Sequence, residues 1–240
     1  MLILSLLDVL MRFAILRLRH RNPLSLRQRA DWLHSACRTI VQRLSMEVAV
    51  SCSLPASGLV VSNHLSYLDI LFYASVMPCI FVSKSEVLSW PLFGILARCG
   101  GTVFVERSRS HGVDEPASRI ADALTIGVPV ILFPEGTSTD GGTVLPFRSA
   151  LLQPAITTRT PILPAAIGYW LADGAEADLC YYGEITFLPH LFGALARKRI
   201  EARIVFENEA RVYSDRKIAA KTAWQNVVRF RVGMTVTQQQ

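Results

Sequence analysis

Four familiar catalytic signatures are missing from this 240-residue chain: there is no G-x-S-x-G, no H-E-x-x-H, no G-x-x-x-x-G-K-[ST] and no G-x-G-x-x-G. A serine hydrolase with a nucleophile elbow, a zinc protease, a P-loop enzyme and a Rossmann dehydrogenase therefore have little support. Cysteine is sparse too. Cys37, Cys52, Cys79, Cys99 and Cys180 are odd in number, scattered, and contain no C-x-x-C pair. That usage argues against a structural zinc and a disulfide framework, and points to a reduced, cytosol-facing protein. Charge is thin: 18% of residues are charged against 51% hydrophobic, and mean hydropathy is +0.33. The balance is too apolar for an ordinary soluble enzyme and too polar for a multispan membrane protein. What charge there is leans basic, +6 with a pI near 9.3, which favours anionic partners such as nucleic acid, acidic lipid head groups or phosphorylated substrates. Internal repeats and a dividing linker are also absent, so the length fits one large domain with ample core.

An uninterrupted apolar run of the ~20 residues that a membrane span needs is lacking as well. The amino terminus, MLILSLLDVLMRFAILRLRHRNP, comes nearest, but Asp8 and Arg12 interrupt it. Its basic cluster, Arg17, Arg19, His20 and Arg21, lies after the apolar stretch, whereas a signal peptide carries its charge first. Ser5, Asp8 and Arg12 share one helical face and Leu, Ile, Met and Phe fill the rest. The pattern predicts an amphipathic helix over residues 1–22 lying in the bilayer interface, with the arginines against anionic lipid. A helix packed on the domain or on a second subunit, and a true span, are the competing readings.

The chain from residue 25 onward is punctuated more clearly. Ser25 with Gln28 makes a capping box, and Leu26, Ala30, Leu33, Cys37, Ile40 and Leu44 recur at helical spacing. Short β-rich runs then alternate with helical patterns. Strands are predicted at Val48–Cys52, Leu59–Ser62, Ile80–Ser83, Thr102–Glu106, Val128–Phe133 and Ile162–Ile167. Helices are predicted between them at Leu68–Val76, Pro91–Cys99, Glu115–Ile126 and Ala150–Thr157. This alternation predicts an α/β domain with a largely parallel central sheet. Beyond residue 170 the pattern weakens to strands near Leu179–Tyr182 and Ile200–Phe206, a closing helix from Asp215 to about Arg231, and a frayed Gln-rich tail.

In open α/β sheets ligands bind where strands end, so the polar punctuation is where chemistry is expected. In LVVSNHLSYLDI, residues 59–70, an apolar strand stops at His64, and Asp69 lies five residues later. One continuous helix would hold these side chains about 140° apart. A strand end, a turn through Leu65-Ser66-Tyr67 and a helix from Leu68 would instead fold them together, letting the acid hold one ring nitrogen while the other takes a proton. A structural histidine beside an ordinary helix-start aspartate is the plainer alternative. In FPEGTSTDGG, residues 133–142, a buried run ends at Glu135 among glycines that allow sharp turns and present N–H groups to an anion. In GGTVFVERS, residues 100–108, a strand delivers Glu106 and Arg107, and arginine suits a bidentate grip on phosphate. TPILPAAIG, residues 160–168, reads as scaffold.

Together and in this order, the four stretches resemble the glycerolipid acyltransferase family, which includes bacterial 1-acyl-sn-glycerol-3-phosphate acyltransferases. Its N-H-x4-D block matches Asn63, His64 and Asp69; G-x-x-F-[IV]-x-R matches Gly101, Phe104, Val105 and Arg107; F-P-E-G-T matches Phe133 to Thr137; and the proline-bracketed strand matches Pro161 to Pro164. The resemblance covers roughly residues 30–170. It implies a glycerol-3-phosphate acyltransferase-like fold, with a mostly parallel sheet flanked by helices and preceded by an N-terminal helical pair. It also implies an acyltransferase domain over 23–240 with its motif core at 58–170. His64 would be the general base and Asp69 its orienting partner. Lys84 and Arg107 would bind the acceptor phosphate, and Glu135, Gly136 and Thr137 would shape the acceptor site. The donor would be acyl-CoA or acyl-carrier protein, with no acyl-enzyme, no metal and no further cofactor. The enzyme would sit on the cytoplasmic face of the cell membrane, peripheral or monotopic, against an anionic surface and a lysolipid acceptor, without nucleic acid.

The third block departs from the family at one position. It usually continues with arginine, but residue 138 is serine. The Ser-Thr-Asp-Gly continuation looks more like the branch that acylates lyso-ornithine lipids, while Arg148 in LPFRSA offers a replacement charge. A lysophosphatidic acid acceptor is the first expectation and lyso-ornithine lipid the alternative. A non-catalytic basic membrane-surface or nucleic-acid-binding module would need a cationic stripe interleaved with aromatics. Here the cations concentrate at the amino terminus and in Arg197-Lys198-Arg199.

Overall fold

The computed structural model describes residues 2–90, 93–105 and 115–238. In chain order the elements are α1 (Leu2–Arg19), α2 (Leu26–Arg43), β1 (Glu47–Ser51), β2 (Leu59–Ser62), α3 (Leu68–Val76), β3 (Ile80–Lys84), α4 (Phe93–Cys99) and β4 (Val103–Val105). They continue with α5 (Glu115–Leu124), β5 (Val130–Leu132), α6 (Gln153–Thr157), β6 (Ile162–Leu171), α7 (Phe187–Leu195), β7 (Ile200–Phe206) and α8 (Arg216–Gln238). The strands form one sheet in the order β1-β7-β6-β2-β5-β3-β4, in which only the β6–β7 pair is antiparallel. This is the expected mostly parallel α/β sheet behind an N-terminal helical pair.

Central β2 is buried along its whole length because both faces are covered. Val60 joins one core with Trp32 and Ile40 of α2 and Phe72 and Tyr73 of α3. Leu59 and Val61 join the opposite core with Ile120 of α5 and Ala219, Ala223 and Val227 of α8. The predicted capping box starts α2: Gln28 N–H donates to Ser25 Oγ (3.2 Å) and Ser25 N–H to Gln28 Oε1 (2.9 Å). Strands β2, β3, β4, β5 and β6 run the same way, so Ser62, Lys84, Val105 and Leu132 end on one edge of the sheet, and β6 runs on past them. Every sequence motif singled out for chemistry leads to that edge.

Three elements differ from the sequence reading. The strand expected at Leu179–Tyr182 is instead the end of a 3₁₀ turn, Glu176–Leu179, continued by irregular chain. Leu179 and Cys180 are buried there, and Tyr181 N–H donates to Leu65 O (2.8 Å), so the backbone serves the histidine loop rather than a ladder. Helix α7 is absent from the sequence reading. Pro189 and Gly193 disguise its pattern, yet Pro189 lies in the first turn, where no N–H is required of it. Helix α8 runs to Gln238, beyond the expected stop near Arg231.

Helix α1 packs on α2 through one side and leaves an apolar side open. Ser5, Leu6 and Val9 are buried, Phe13 packs edge-on against Trp32 of α2 (4.8 Å), and Asp8 pairs with Arg12 (3.1 Å) and with Arg43 of α2 (2.9 Å). Ser5 and Asp8 turn inward, Asp8 meeting Arg43, while Arg12 stays exposed. Leu4, Leu7, Met11, Ile15 and Leu18 are left exposed along the other side. Among the described residues no helix is long and apolar enough to cross a membrane.

Candidate active site

Strand β2 ends at Ser62, and the next two side chains are put to different uses. Asn63 is buried and acts as a surrogate peptide, accepting from Ile167 N–H (2.9 Å) and donating to Ile167 O (3.0 Å) on β6. His64 turns to the sheet edge. Its N–H donates to Glu135 Oε1 (2.7 Å), and its carbonyl accepts from Thr139 N–H (3.0 Å). The imidazole stacks on Phe133, centroids 4.2 Å apart and planes 14° from parallel. Backbone and ring are both fixed by the chain that leaves β5.

The turn through Leu65-Ser66-Tyr67 into α3 brings Asp69 back to the histidine, as the spacing predicts. Asp69 Oδ2 lies 2.7 Å from His64 Nδ1 and also accepts from Leu65 N–H (2.8 Å) and Ser66 N–H (3.2 Å). Its other oxygen, Oδ1, accepts from the Tyr169 hydroxyl of β6. Burial and the neighbouring Asp69 charge hold the Tyr169 hydroxyl well above its ordinary pKa, so it stays protonated as a donor. With Asp69 accepting throughout, Nδ1 carries the ring proton and Nε2 keeps its lone pair. Asp69 is fully buried while the His64 side chain retains 23% exposure, so the reachable basic atom belongs to the histidine.

Glu135 is buried, and its second oxygen accepts from Leu145 N–H (2.7 Å), so the carboxylate bridges His64 to the loop beyond it. Burial raises its pKa to about 7, against the lowering effect of the Leu145 and His64 N–H groups. Gly136 turns with φ +74°, and Thr137 is exposed beside it. Ser138, where the family pattern has arginine, turns its hydroxyl to Tyr181 O. The adjoining loop is anchored by Arg231 of α8, which donates to Gly141 O (2.9 Å) and Ile167 O (3.0 Å) and grips Glu176 with both terminal nitrogens (2.9 and 2.6 Å). Glu176 in turn accepts from Tyr169 N–H (2.8 Å).

Lys84 is half-buried at the end of β3, in register with Val105 of β4. Arg107, two residues beyond β4, lies outside the described residues, as does Glu106. Beside the histidine loop, Tyr67 packs against Phe93, Tyr181 and Phe187, and its hydroxyl lies 3.0 Å from His190 Nδ1. Tyr169 and this aromatic wall escaped the sequence reading: each contact joins residues far apart in the chain, and no local motif marks it. Among the described residues no cluster of His, Cys, Asp and Glu could hold a metal ion.

Comparison with known proteins places this edge in a family context. The family model described as Acyltransferase matches residues 45–168. A lyso-ornithine lipid O-acyltransferase of Brucella abortus is 36% identical over 179 residues, covering 68% of this chain and 67% of that protein. A 1-acyl-sn-glycerol-3-phosphate acyltransferase of Neisseria meningitidis is 31% identical over 152 residues, covering 63% of this chain and 60% of that protein. The chain thus spans about two thirds of the length of the relatives it matches. The crystal structure of the 1-acyl-sn-glycerophosphate acyltransferase PlsC from Thermotoga maritima superposes with a TM-score of 0.66 at 21% identity, over 95% of this chain and 87% of that one. At that identity the likeness speaks for the fold.

Proposed function

Because this chain belongs to the acyltransferase family, we propose that it transfers a fatty acyl group from acyl-CoA or acyl-carrier protein to the free hydroxyl of a lysolipid. The observation that carries the reading is the 2.7 Å contact between His64 Nδ1 and Asp69 Oδ2 at the sheet edge, with three further donors on the same carboxylate. Nε2 takes the proton of the acceptor hydroxyl as its oxygen attacks the thioester carbonyl. Asp69 stabilises the imidazolium that forms. Collapse of the tetrahedral intermediate breaks the carbon–sulfur bond, and the departing thiolate recovers the proton from His64. An ester and a free thiol result, the histidine is neutral again, and no acyl-enzyme is required.

The acceptor proposed first is 1-acyl-sn-glycerol-3-phosphate, giving phosphatidic acid, with Lys84 and Arg107 as phosphate ligands. Lyso-ornithine lipid is the second reading, favoured by Ser138 and by the relative at 36% identity. Glu135, Gly136 and Thr137 form the turn that holds the base beside the acceptor. Membrane attachment is assigned to the outward apolar side of α1, with Arg17, Arg19 and Arg21 against anionic lipid. On this reading the enzyme sits peripherally on the cytoplasmic face.

The test is kcat/KM of the purified protein with lysophosphatidic acid and lyso-ornithine lipid, each with both donor types. Transfer to lysophosphatidic acid is the expected outcome. Transfer to the ornithine lipid alone would replace the first acceptor by the second, and no transfer to any lysolipid would overturn the proposal.

A further inference from the structure

We propose that Arg148 is a further anion-binding residue of the acceptor subsite, beside Lys84 and Arg107. Its guanidinium would grip the acid group, phosphate or carboxylate, that lies a few bonds from the hydroxyl to be acylated. The inference rests on the acyl-transfer reading above and adds a recognition residue from outside the family's four blocks.

Arg148 is carried to the site by its own backbone, whose N–H donates to Pro134 O (3.0 Å), one residue from the carboxylate that holds His64. Its side chain lies across Gly136. A Cβ placed on that glycine would sit 2.9 Å from Arg148 Cζ, 3.0 Å from Nε and 3.1 Å from Nη1. Glycine at 136 is needed for φ +74°, and the guanidinium lies against the open side that a Cβ would fill. Among the described residues the nearby groups leave the cation uncompensated. Both oxygens of Glu135 are committed to backbone N–H groups, and Ser138 turns to Tyr181 O. Among the described residues Arg148 forms no ion pair and no side-chain hydrogen bond, and it is exposed. A planar, permanently charged fork lying on the turn that follows Glu135 matches an acidic head group better than a neutral one. It also supplies, from ten residues beyond Ser138, the charge that serine cannot provide.

The experiment measures acceptor KM and kcat for wild type, Arg148→Gln and Arg148→Lys in non-ionic detergent micelles, where no charged bilayer contributes. Lysophosphatidic acid, lyso-ornithine lipid and an uncharged monoacylglycerol serve as acceptors. Arg148→Gln should raise KM about 10- to 100-fold for whichever acidic acceptor wild type uses, change kcat by less than about threefold, and leave the uncharged acceptor unaffected. Arg148→Lys should recover part of the loss. The pattern across the two acidic acceptors tells phosphate from carboxylate. Binding of each radiolabelled acceptor to His64→Ala enzyme, with and without Arg148→Gln, needs no turnover and separates this proposal from the acyl-transfer reading. Wild-type-like KM and binding in Arg148→Gln, or an equal loss with the uncharged acceptor, would overturn it.

Discussion

The base and the acceptor side of the edge are built on opposite plans. Around Asp69 the contacts are redundant: two backbone N–H groups, a tyrosine hydroxyl and the imidazole converge on one fully buried carboxylate. Around Arg148 and Thr137 the side chains are exposed. The difference separates two tasks. Proton transfer needs a fixed geometry whose cost is met during folding, whereas a lipid head group must enter and leave, so its ligands stay solvated until it arrives. On the proposed function, catalytic power belongs to the buried half and substrate choice to the open half.

The comparison is broken most severely at the carboxylate. Asp69→Asn places an amide N–H₂ against groups that are themselves donors, so the imidazole loses its tautomer and charge support. Turnover should fall by roughly 10²–10⁴ with acceptor KM little changed. Tyr169→Phe removes one donor from the same carboxylate and leaves the others, and a loss of about tenfold in kcat is expected. Acceptor KM should stay near the wild-type value, since the tyrosine acts through Asp69 and not on the acceptor.

Delivery to the membrane can be tested with the chemistry left alone. Deleting α1 would remove Val9, Phe13 and the Asp8–Arg43 pair from the domain along with any membrane contact. Leu7→Glu, Met11→Glu and Leu18→Glu together alter only the exposed side. The triple variant should lose flotation with anionic liposomes while staying within about threefold of wild type on detergent-dispersed acceptor. Retained flotation would place the anchor elsewhere.

The last prediction concerns stability and not activity, at Glu135. Its folded-state pKa of about 7 lies above the ordinary 4.5, so the folded protein holds a proton there that the unfolded chain has already released. The group favours folding most below pH 4.5, and its contribution declines as pH rises to about 7 and is level beyond. Over that window unfolding free energy should fall by roughly 2–4 kcal/mol on this account. Glu135→Gln should remove that part of the slope, as measured by urea unfolding at a series of pH values.

How much of this was legible in the chain depends on the range of each interaction. The capping box, the β2–turn–α3 unit of His64 and Asp69, and the alternation of strands and helices depend on neighbours in sequence, and all three are present as expected. Tyr169 reaches Asp69 across 100 residues, and Arg231 reaches Glu176 across 55, so neither leaves a local trace. Glu135 was recognisable as chemically unusual, a carboxylate ending a buried run, but its commitment to two backbone N–H groups depends on how two loops meet. Helix α1 was recognisable as amphipathic, while its Asp8 turns inward to meet Arg43, which its own sequence does not contain.

The central claim, that His64 is the base and Asp69 its support, is tested most directly by single-turnover acyl transfer with His64→Ala enzyme. Its circular dichroism should match wild type, with a lowered melting temperature because the stack on Phe133 and the bond to buried Asp69 are lost. The account predicts a chemical step slowed roughly 10²–10⁴-fold with acceptor binding retained. A folded His64→Ala protein that transfers acyl groups at a near-wild-type rate would contradict it.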